Sequence, residues 1–207
     1  MERTAVYHAN TWPAASSCFY ACPPHTKTFG VNRAIDLMRL DCGPCVVRDW
    51  RPSDKGALVR VADNRNIWRN LTHRFPHPYT GADADFWFSV LARTPVQTHW
   101  AVEVGGEAVG GIGFEPGEGV HAKSGHFGYW LGESYWGRGI MTAAVRAASD
   151  FAFGHFDVVR LEAPVFEWNT ASMRVLEKCG FVREGVLRNS VLKDGQLIDA
   201  VLYARLR

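Results

Sequence analysis

Tyr129-Trp130-Leu131-Gly132-Glu133-Ser134-Tyr135-Trp136-Gly137-Arg138-Gly139-Ile140-Met141 is the stretch on which the fold of this chain turns. An apolar strand runs into a glycine-containing turn, and a helical pattern follows at once. Met141, Ala144, Val145, Ala148, Phe151 and Ala152 keep the 3, 4, 7 spacing of one buried helix face. The first amides of a helix lack intrahelical partners and carry the positive end of its dipole, so this junction predicts an anion site that suits a pyrophosphate. Gly137 and Gly139 let the chain bend tightly and let a ligand approach the backbone, and Arg138 adds a cation. Glycine spacing alone more often marks a turn without a ligand. The dinucleotide-binding fingerprint does not fit, because its third glycine and downstream acid are not in place.

Outward from this junction the pattern is a mixed α/β one. Upstream, Cys45 to Trp50 reads as a short first strand, Pro52-Ser53-Asp54 as a helix start, and Thr80-Gly81-Ala82-Asp83 as a capping box before Phe86, Trp87, Val90 and Leu91. Thr98 to Val104 and Glu107 to Phe114 are strand-like about Gly105-Gly106, a two-residue hairpin signal, and a glycine-rich loop (116–125) leads to the strand His126 to Leu131. Downstream, Val159 to Val165 alternates as a strand. Ser172, Val175, Leu176 and Cys179 form a helical face closed by Gly180, and Asp194-Gly195 turns a terminal hairpin. Residues 1–40 lack a sustained period and read as an extension of uncertain order; residues 41–207 form the domain.

A second segment, Asn169-Thr170-Ala171-Ser172-Met173-Arg174-Val175-Leu176-Glu177-Lys178-Cys179-Gly180-Phe181, follows the first at a distance of about 30 residues. Together the two resemble the acetyl-CoA site of the GNAT superfamily of N-acetyltransferases, in its RimJ/RimL-like branch that acetylates ribosomal-protein N-termini. The resemblance covers roughly Val46 to Arg207. It implies a mixed, strongly twisted sheet with helices on both faces and a splayed central strand. It implies acetyl-CoA as co-substrate and no metal. By resemblance, the backbone of Tyr129, Trp130 and Leu131 pairs with the pantetheine arm, and an amide near Leu131 stabilises the oxyanion. Gly137, Arg138, Gly139, Ile140, Met141 and Thr142 hold the pyrophosphate, Asn169 bonds the pantetheine, and Ser172 faces the thioester sulfur. The alternative is a helix N-cap role for Ser172 and a turn or cap role for Asn169, and the two kinds of role can coexist.

Two departures matter. The branch often has Gln or Arg where Trp136 stands. Many members of the superfamily also place an acidic tyrosine where this chain has Leu176, so the leaving thiolate needs another proton donor, and the branch is thought to use the serine matching Ser172. An ammonium acceptor must lose a proton before it attacks, which calls for a base. His126, beside the Gly-Tyr of the central strand, titrates in the useful range and is the first candidate, with Glu103 and Glu133 behind it.

The remaining features bound the alternatives. Five cysteines make a disulfide framework unexpected. Cys42-Gly43-Pro44-Cys45 has the letters of a thioredoxin-type motif, yet it precedes a strand rather than a helix. Cys18, Cys22, Cys42 and Cys45 have a spacing that zinc sites tolerate, though unrelated thiols are the plainer reading. Trp68, Trp87 and Trp100, with Phe75-Pro76-His77-Pro78-Tyr79, are candidates to line an acceptor pocket, each otherwise a core residue. A net charge of +2 without a basic stripe speaks against nucleic acid. No apolar run reaches the roughly 20 residues of a membrane span, and the N-terminal residues do not read as a signal peptide, so a cytoplasmic monomer or homodimer is expected. The acceptor is a protein N-terminus or a small-molecule amine. The runner-up function is a catalytically inactive acyl-CoA-binding regulatory module.

Overall fold

The computed structural model describes residues 38–207. One eight-stranded mixed sheet, in the order β1-β2-β3-β4-β5-β6-β8-β7, organises them. The first five strands, β1 (Arg39–Asp41), β2 (Val46–Arg48), β3 (His99–Val104), β4 (Glu107–Pro116) and β5 (Ser124–Leu131), form an antiparallel meander. Strand β6 (Arg160–Phe166) then runs parallel to β5, and the hairpin of β7 (Val182–Lys193) and β8 (Gln196–Leu206) completes the sheet. The turns obey their residues: Gly105 and Gly106, and likewise Asp194 and Gly195, all have positive φ, as two-residue hairpins of this hand require.

The first strand differs from the sequence expectation. The Cys45–Trp50 run contributes only Val46–Arg48, and a preceding strand, β1, pairs with it. Arg39 and Leu40 therefore belong to the sheet, and Met38, 4% exposed, to its core.

Each helix is set by local chemistry. Helix α1 (Lys55–Ala62) follows a 3-10 turn at Pro52–Asp54, and the short α2 (Arg65–Trp68) is capped by the Asn64 side chain. Helix α3 (Gly81–Arg93) starts with the expected capping box, Thr80 N–H donating to Asp83 Oδ2 at 2.8 Å. Helix α4 (Ile140–His155) packs one face on the sheet through Met141, Ala144, Val145, Ala148 and Ala152. Helix α5 (Thr170–Lys178) ends in a Schellman motif, with Phe181 N–H bonded to Leu176 O and Gly180 N–H to Glu177 O.

The sheet separates two cores. Trp100, Ile112, Phe114, Phe127 and Leu131 meet α4 and α5 on one face, while Leu58, Ala62, Tyr79 and Ala84 of the α1–α3 layer form a smaller cluster on the other. A buried ion network ties β2 and β3 to the turn before α1. Arg48, 2% exposed, donates to Asp54 at 2.7 and 2.9 Å and to Glu103 at 2.5 Å. Burial works to raise the Asp54 carboxyl, but Arg48 and the Arg51 N–H outweigh it and hold the pKa below its usual value.

Candidate active site

The sheet opens at its centre. Strands β5 and β6 pair only over Ser124–Arg160, Gly125–Leu161 and His126–Glu162, after which β6 continues against β8 and β5 continues against β4. The two strands therefore diverge from His126 onward. Gly132 N–H donates to Val109 O at 2.8 Å, on the β4 side. Backbone polar groups alternate along a strand, so the N–H groups of Leu131 and Tyr129 point to the opposite, open side. The Leu131 carbonyl accepts from the Trp136 indole N–H at 2.7 Å, leaving its N–H as the group that faces the opening.

At the end of β5 the chain passes through a 3-10 turn, Glu133–Tyr135, to the start of α4. Gly139 is the N-cap at φ 75° and ψ −4°, a left-handed conformation, and no side chain among the described residues caps this end. The amides of Ile140, Met141 and Thr142 are thus the orphan donors of a 16-residue helix. The side chains of Ile140 and Met141 are buried at 4% and 7% exposure, so only their backbone can meet a ligand. Arg138 is exposed, its guanidinium 5.6 Å from the Tyr135 ring centroid.

Asn169 is the N-cap of α5: its Oδ1 accepts from Ser172 N–H at 3.2 Å. The cap role weighed for Asn169 is therefore real, and it leaves the amide nitrogen as the group to meet a ligand. Ser172 is not the cap residue. Its Oγ lies 2.8 Å from the Tyr129 hydroxyl, which is also 3.2 Å from the Ser172 carbonyl oxygen. Burial drives the Tyr129 phenol above its usual pKa, partly countered by Ser172, so it stays protonated at neutral pH. Leu176, one turn further along α5, is fully buried. A cavity of about 280 Å³ opens beside this helix start, lined in part by Asn66, Arg69, Trp136, Trp168 and Asn169.

On the opposite face of β5 lies a second group. Side chains alternate along the strand, so His126, Gly128 and Trp130 face the α1–α3 layer while Phe127, Tyr129 and Leu131 face α4 and α5. A Cβ built at Gly128 meets nothing within 4 Å, so the floor beside His126 is open. Register puts His126 between Glu115 of β4 and Glu162 of β6. Arg74 Nη1 is 3.7 Å from Glu115 Oε1. Burial raises the Glu115 carboxyl to about 7, with Arg74 opposing. Loss of hydration lowers the His126 imidazole below its usual range although the residue is exposed at the surface; Glu162 counteracts this and Arg74 adds to it. A carboxyl raised to about 7 and an imidazole lowered from its usual range therefore stand side by side.

Phe75 packs 5.4 Å from Trp130 and 5.1 Å from Tyr79, forming an aromatic wall on this face. Trp87 stands edge-on to His99 in the same layer. Trp100 does not line a pocket: it is 1% exposed among Phe114, Phe151 and Phe156 on the α4 side. Trp68 carries the Lys193 ammonium 3.7 Å above its ring, and that ammonium donates to the Trp68 and Leu71 carbonyls. Glu103 is committed to Arg48 in the buried network. Glu133 accepts from the Asn64 and Asn66 side-chain amides, which lower its pKa and weaken it as a base.

Sequence reasoning missed Glu115 and the phenol of Tyr129. The loop between β4 and β5 is too long to fix register from spacing, so the Glu115–His126 pairing left no trace in the sequence. The resemblance points to Tyr129 through its backbone alone. Cys18 and Cys22 lie outside the described residues. Among those described, no group of three His, Cys, Asp or Glu side chains could hold a metal ion, and no helix is long and apolar enough to cross a membrane.

Comparison with known proteins adds independent findings. The acetyltransferase (GNAT) domain model matches residues 45–182. YjcK of Bacillus subtilis, named a probable N-acetyltransferase, is 46% identical over 77 residues, covering 37% of this chain and 42% of that protein. The L-amino acid N-acetyltransferase AaaT of Escherichia coli is 25% identical over 165 residues, 78% of this chain and 98% of its own length. The structure of Mycobacterium smegmatis RimJ in complex with CoA-disulfide superposes with a TM-score of 0.69 at 28% identity, covering 82% of this chain and 86% of that one. For YjcK, then, the match spans less than half of the relative's length.

Proposed function

The chain belongs to the GNAT acetyltransferase family, and from that premise we propose that it moves an acetyl group from acetyl-CoA to a primary amine by direct attack. The observation that carries this reading is the splay between β5 and β6, which runs into an uncapped helix start. Such an opening fits an extended, hydrogen-bonding arm that ends in a pyrophosphate, and acetyl-CoA has that form.

In this reading the amides of Ile140, Met141 and Thr142, with Gly137, Arg138 and Gly139 at the turn, hold the pyrophosphate. Tyr129 to Leu131 and Asn169 hold the pantetheine arm. Leu131 N–H donates to the thioester carbonyl oxygen as negative charge develops there. On the other face His126, flanked by Glu115 and Glu162, accepts the amine proton, directly or through Glu115. Ser172 donates to the departing sulfur, and the protonated Tyr129 phenol behind it orients and resupplies that hydroxyl. This arrangement covers for the tyrosine that Leu176 displaces. Holding both substrates in one opening supplies much of the acceleration.

The acceptor is a protein N-terminal α-amine, as the likeness to the ribosomal protein uS5-alanine N-acetyltransferase of Escherichia coli supports, or a small-molecule amine, as the AaaT likeness supports. The test is release of free CoA thiol on mixing the protein with acetyl-CoA and a panel of peptides with varied N-terminal residues, amino acids and polyamines, with products identified by mass spectrometry. Acceptor-dependent thiol release supports the proposal. Tight acetyl-CoA binding without turnover on any acceptor class favours the inactive binding module.

A further inference from the structure

Two thiols that acetyl transfer does not use meet at the tip of the β1–β2 hairpin. Asp41–Val46 is the last pair of the ladder, and Cys42 N–H donates to Cys45 O at 2.9 Å across the turn made by Gly43 and Pro44. Gly43 has φ 82°, and its N–H is bonded to Asp41 Oδ1 at 2.9 Å, so the turn is fixed by its own residues. Both cysteines are free thiols. As first and last residues of a four-residue turn, their Cα atoms lie within about 7 Å, which overlaps the roughly 4.4–6.8 Å that a disulfide spans.

The two positions are unequal. Cys42 is part-exposed, whereas Cys45 is 4% exposed with its Sγ 3.7 Å from the Ile140 carbonyl, the first residue of α4. We propose that Cys42 and Cys45 form a reversible dithiol–disulfide site, in which Cys42 attacks a small-molecule disulfide and Cys45 resolves the product. The sequence argued against redox chemistry because no helix follows the motif, and indeed a strand follows it. The neighbouring Cys45 thiol takes the helix's place. It lowers the Cys42 thiol to about 7 with help from the Val47 backbone, against burial and the Asp41 charge, and the same interaction raises Cys45.

The exchange balances. The Cys42 thiolate attacks one sulfur of the disulfide, forming a mixed disulfide and expelling a thiolate with the bonding pair. Cys45 gives its proton to solvent and attacks the Cys42 sulfur, forming the internal disulfide and expelling the second thiolate. Two electrons pass to the small molecule, which leaves as two thiols. Ring closure draws Cys45 Sγ toward Cys42 and away from the Ile140 carbonyl.

The test uses the full chain with glutathione disulfide as the probe. After blocking of remaining thiols and tryptic digestion, the segment 40–48 contains Cys42, Cys45 and no other cysteine. In the wild type this segment should become lighter by two hydrogens, and excess reduced glutathione should reverse the change. Cys45→Ser, or Cys45→Ala if the serine variant does not fold, should instead retain one glutathionyl group on Cys42, and Cys42→Ser should retain none. Cys42 should also alkylate faster than the buried Cys179. A wild-type segment that stays reduced, or that stops at the mixed disulfide, would overturn the proposal. Neither result bears on acetyl transfer.

Discussion

Gly139→Val probes the proposed pyrophosphate site most directly. Gly139 holds the left-handed conformation at φ 75°, and a Cβ built there meets nothing within 4 Å. Valine therefore fits the folded chain, and its cost is conformational, about 1–2 kcal/mol for an L-residue in this region. In a chain of this size each 1 kcal/mol lowers Tm by about 2–4 °C, so the variant should melt a few degrees early and remain folded. Its two γ-methyls add bulk at the turn that the pyrophosphate must approach. A hydrogen bond to a charged group contributes about 1.5–3 kcal/mol, so displacing even one amide–phosphate contact weakens binding roughly tenfold or more. Gly139→Ala carries the same backbone strain with less bulk, and should lose stability equally but affinity less. Calorimetric titration with acetyl-CoA beside thermal melts separates the two effects. A folded Gly139→Val variant that binds acetyl-CoA as tightly as the parent would refute the placement of the phosphate site.

Other variants test the remaining roles. Ser172→Ala should lower kcat with little change in acetyl-CoA affinity, because its hydroxyl acts as the sulfur departs; Tyr129→Phe should do the same more mildly, and an unchanged kcat in both would leave the pair structural. A general base works only when unprotonated, so log(kcat/KM) should rise with pH through the pKa of the group responsible: below the usual imidazole range if it is His126, near 7 if it is Glu115. His126→Gln and Glu115→Gln, read against an acceptor whose own pKa is known, should each remove the limb that belongs to its side chain, with a fall of roughly 10²-fold for the true base; profiles unchanged in both would sink the assignment. Arg48→Met strands two buried carboxylates and should cost about 3–5 kcal/mol of stability in denaturant titrations. Because the folded Asp54 pKa is depressed, its contribution is present above the unfolded carboxyl pKa and is lost as pH falls through the folded one, so the gap between parent and variant should narrow in acid.

What the sequence disclosed and what it withheld follow from the range of the interactions. Hairpins at Gly105-Gly106 and Asp194-Gly195, the Thr80–Asp83 capping box and the Gly180 helix end are written in neighbouring residues, and each could be read directly. The α4 face was legible because apolar spacing repeats over four turns. Strand β1 escaped because three residues give no period, and its partner β2 is equally short. Glu115 escaped because a long loop sets its register against His126. Trp100 looked like pocket lining because a strand pattern shows that alternate residues face opposite ways without showing which face holds the larger core.

Parity along β5 is also what gives the proposed site its division of labour. Odd-numbered residues send their N–H groups toward β6 and their side chains toward α5, so Tyr129 presents a backbone donor to the opening and a phenol to Ser172 from one position. Even-numbered residues pair with β4 and turn their side chains to the α1–α3 layer, which brings His126 beside Glu115 and Glu162 with Gly128 as open floor. In the proposed mechanism, proton uptake from the amine and proton delivery to the sulfur are thereby held on opposite faces of one strand, with the reacting carbonyl at its edge. A register slip of one residue would exchange the two sets. The glycines at 110, 111 and 113 let β4 lie close to its neighbours: a Cβ at Gly110 would meet Trp130 O at 2.5 Å, one at Gly111 the Trp130 indole at 2.6 Å, and one at Gly113 Thr98 O at 2.3 Å. A side chain at any of the three would push β4 away from β3 or β5, and with it the pairing that sets Glu115 opposite His126.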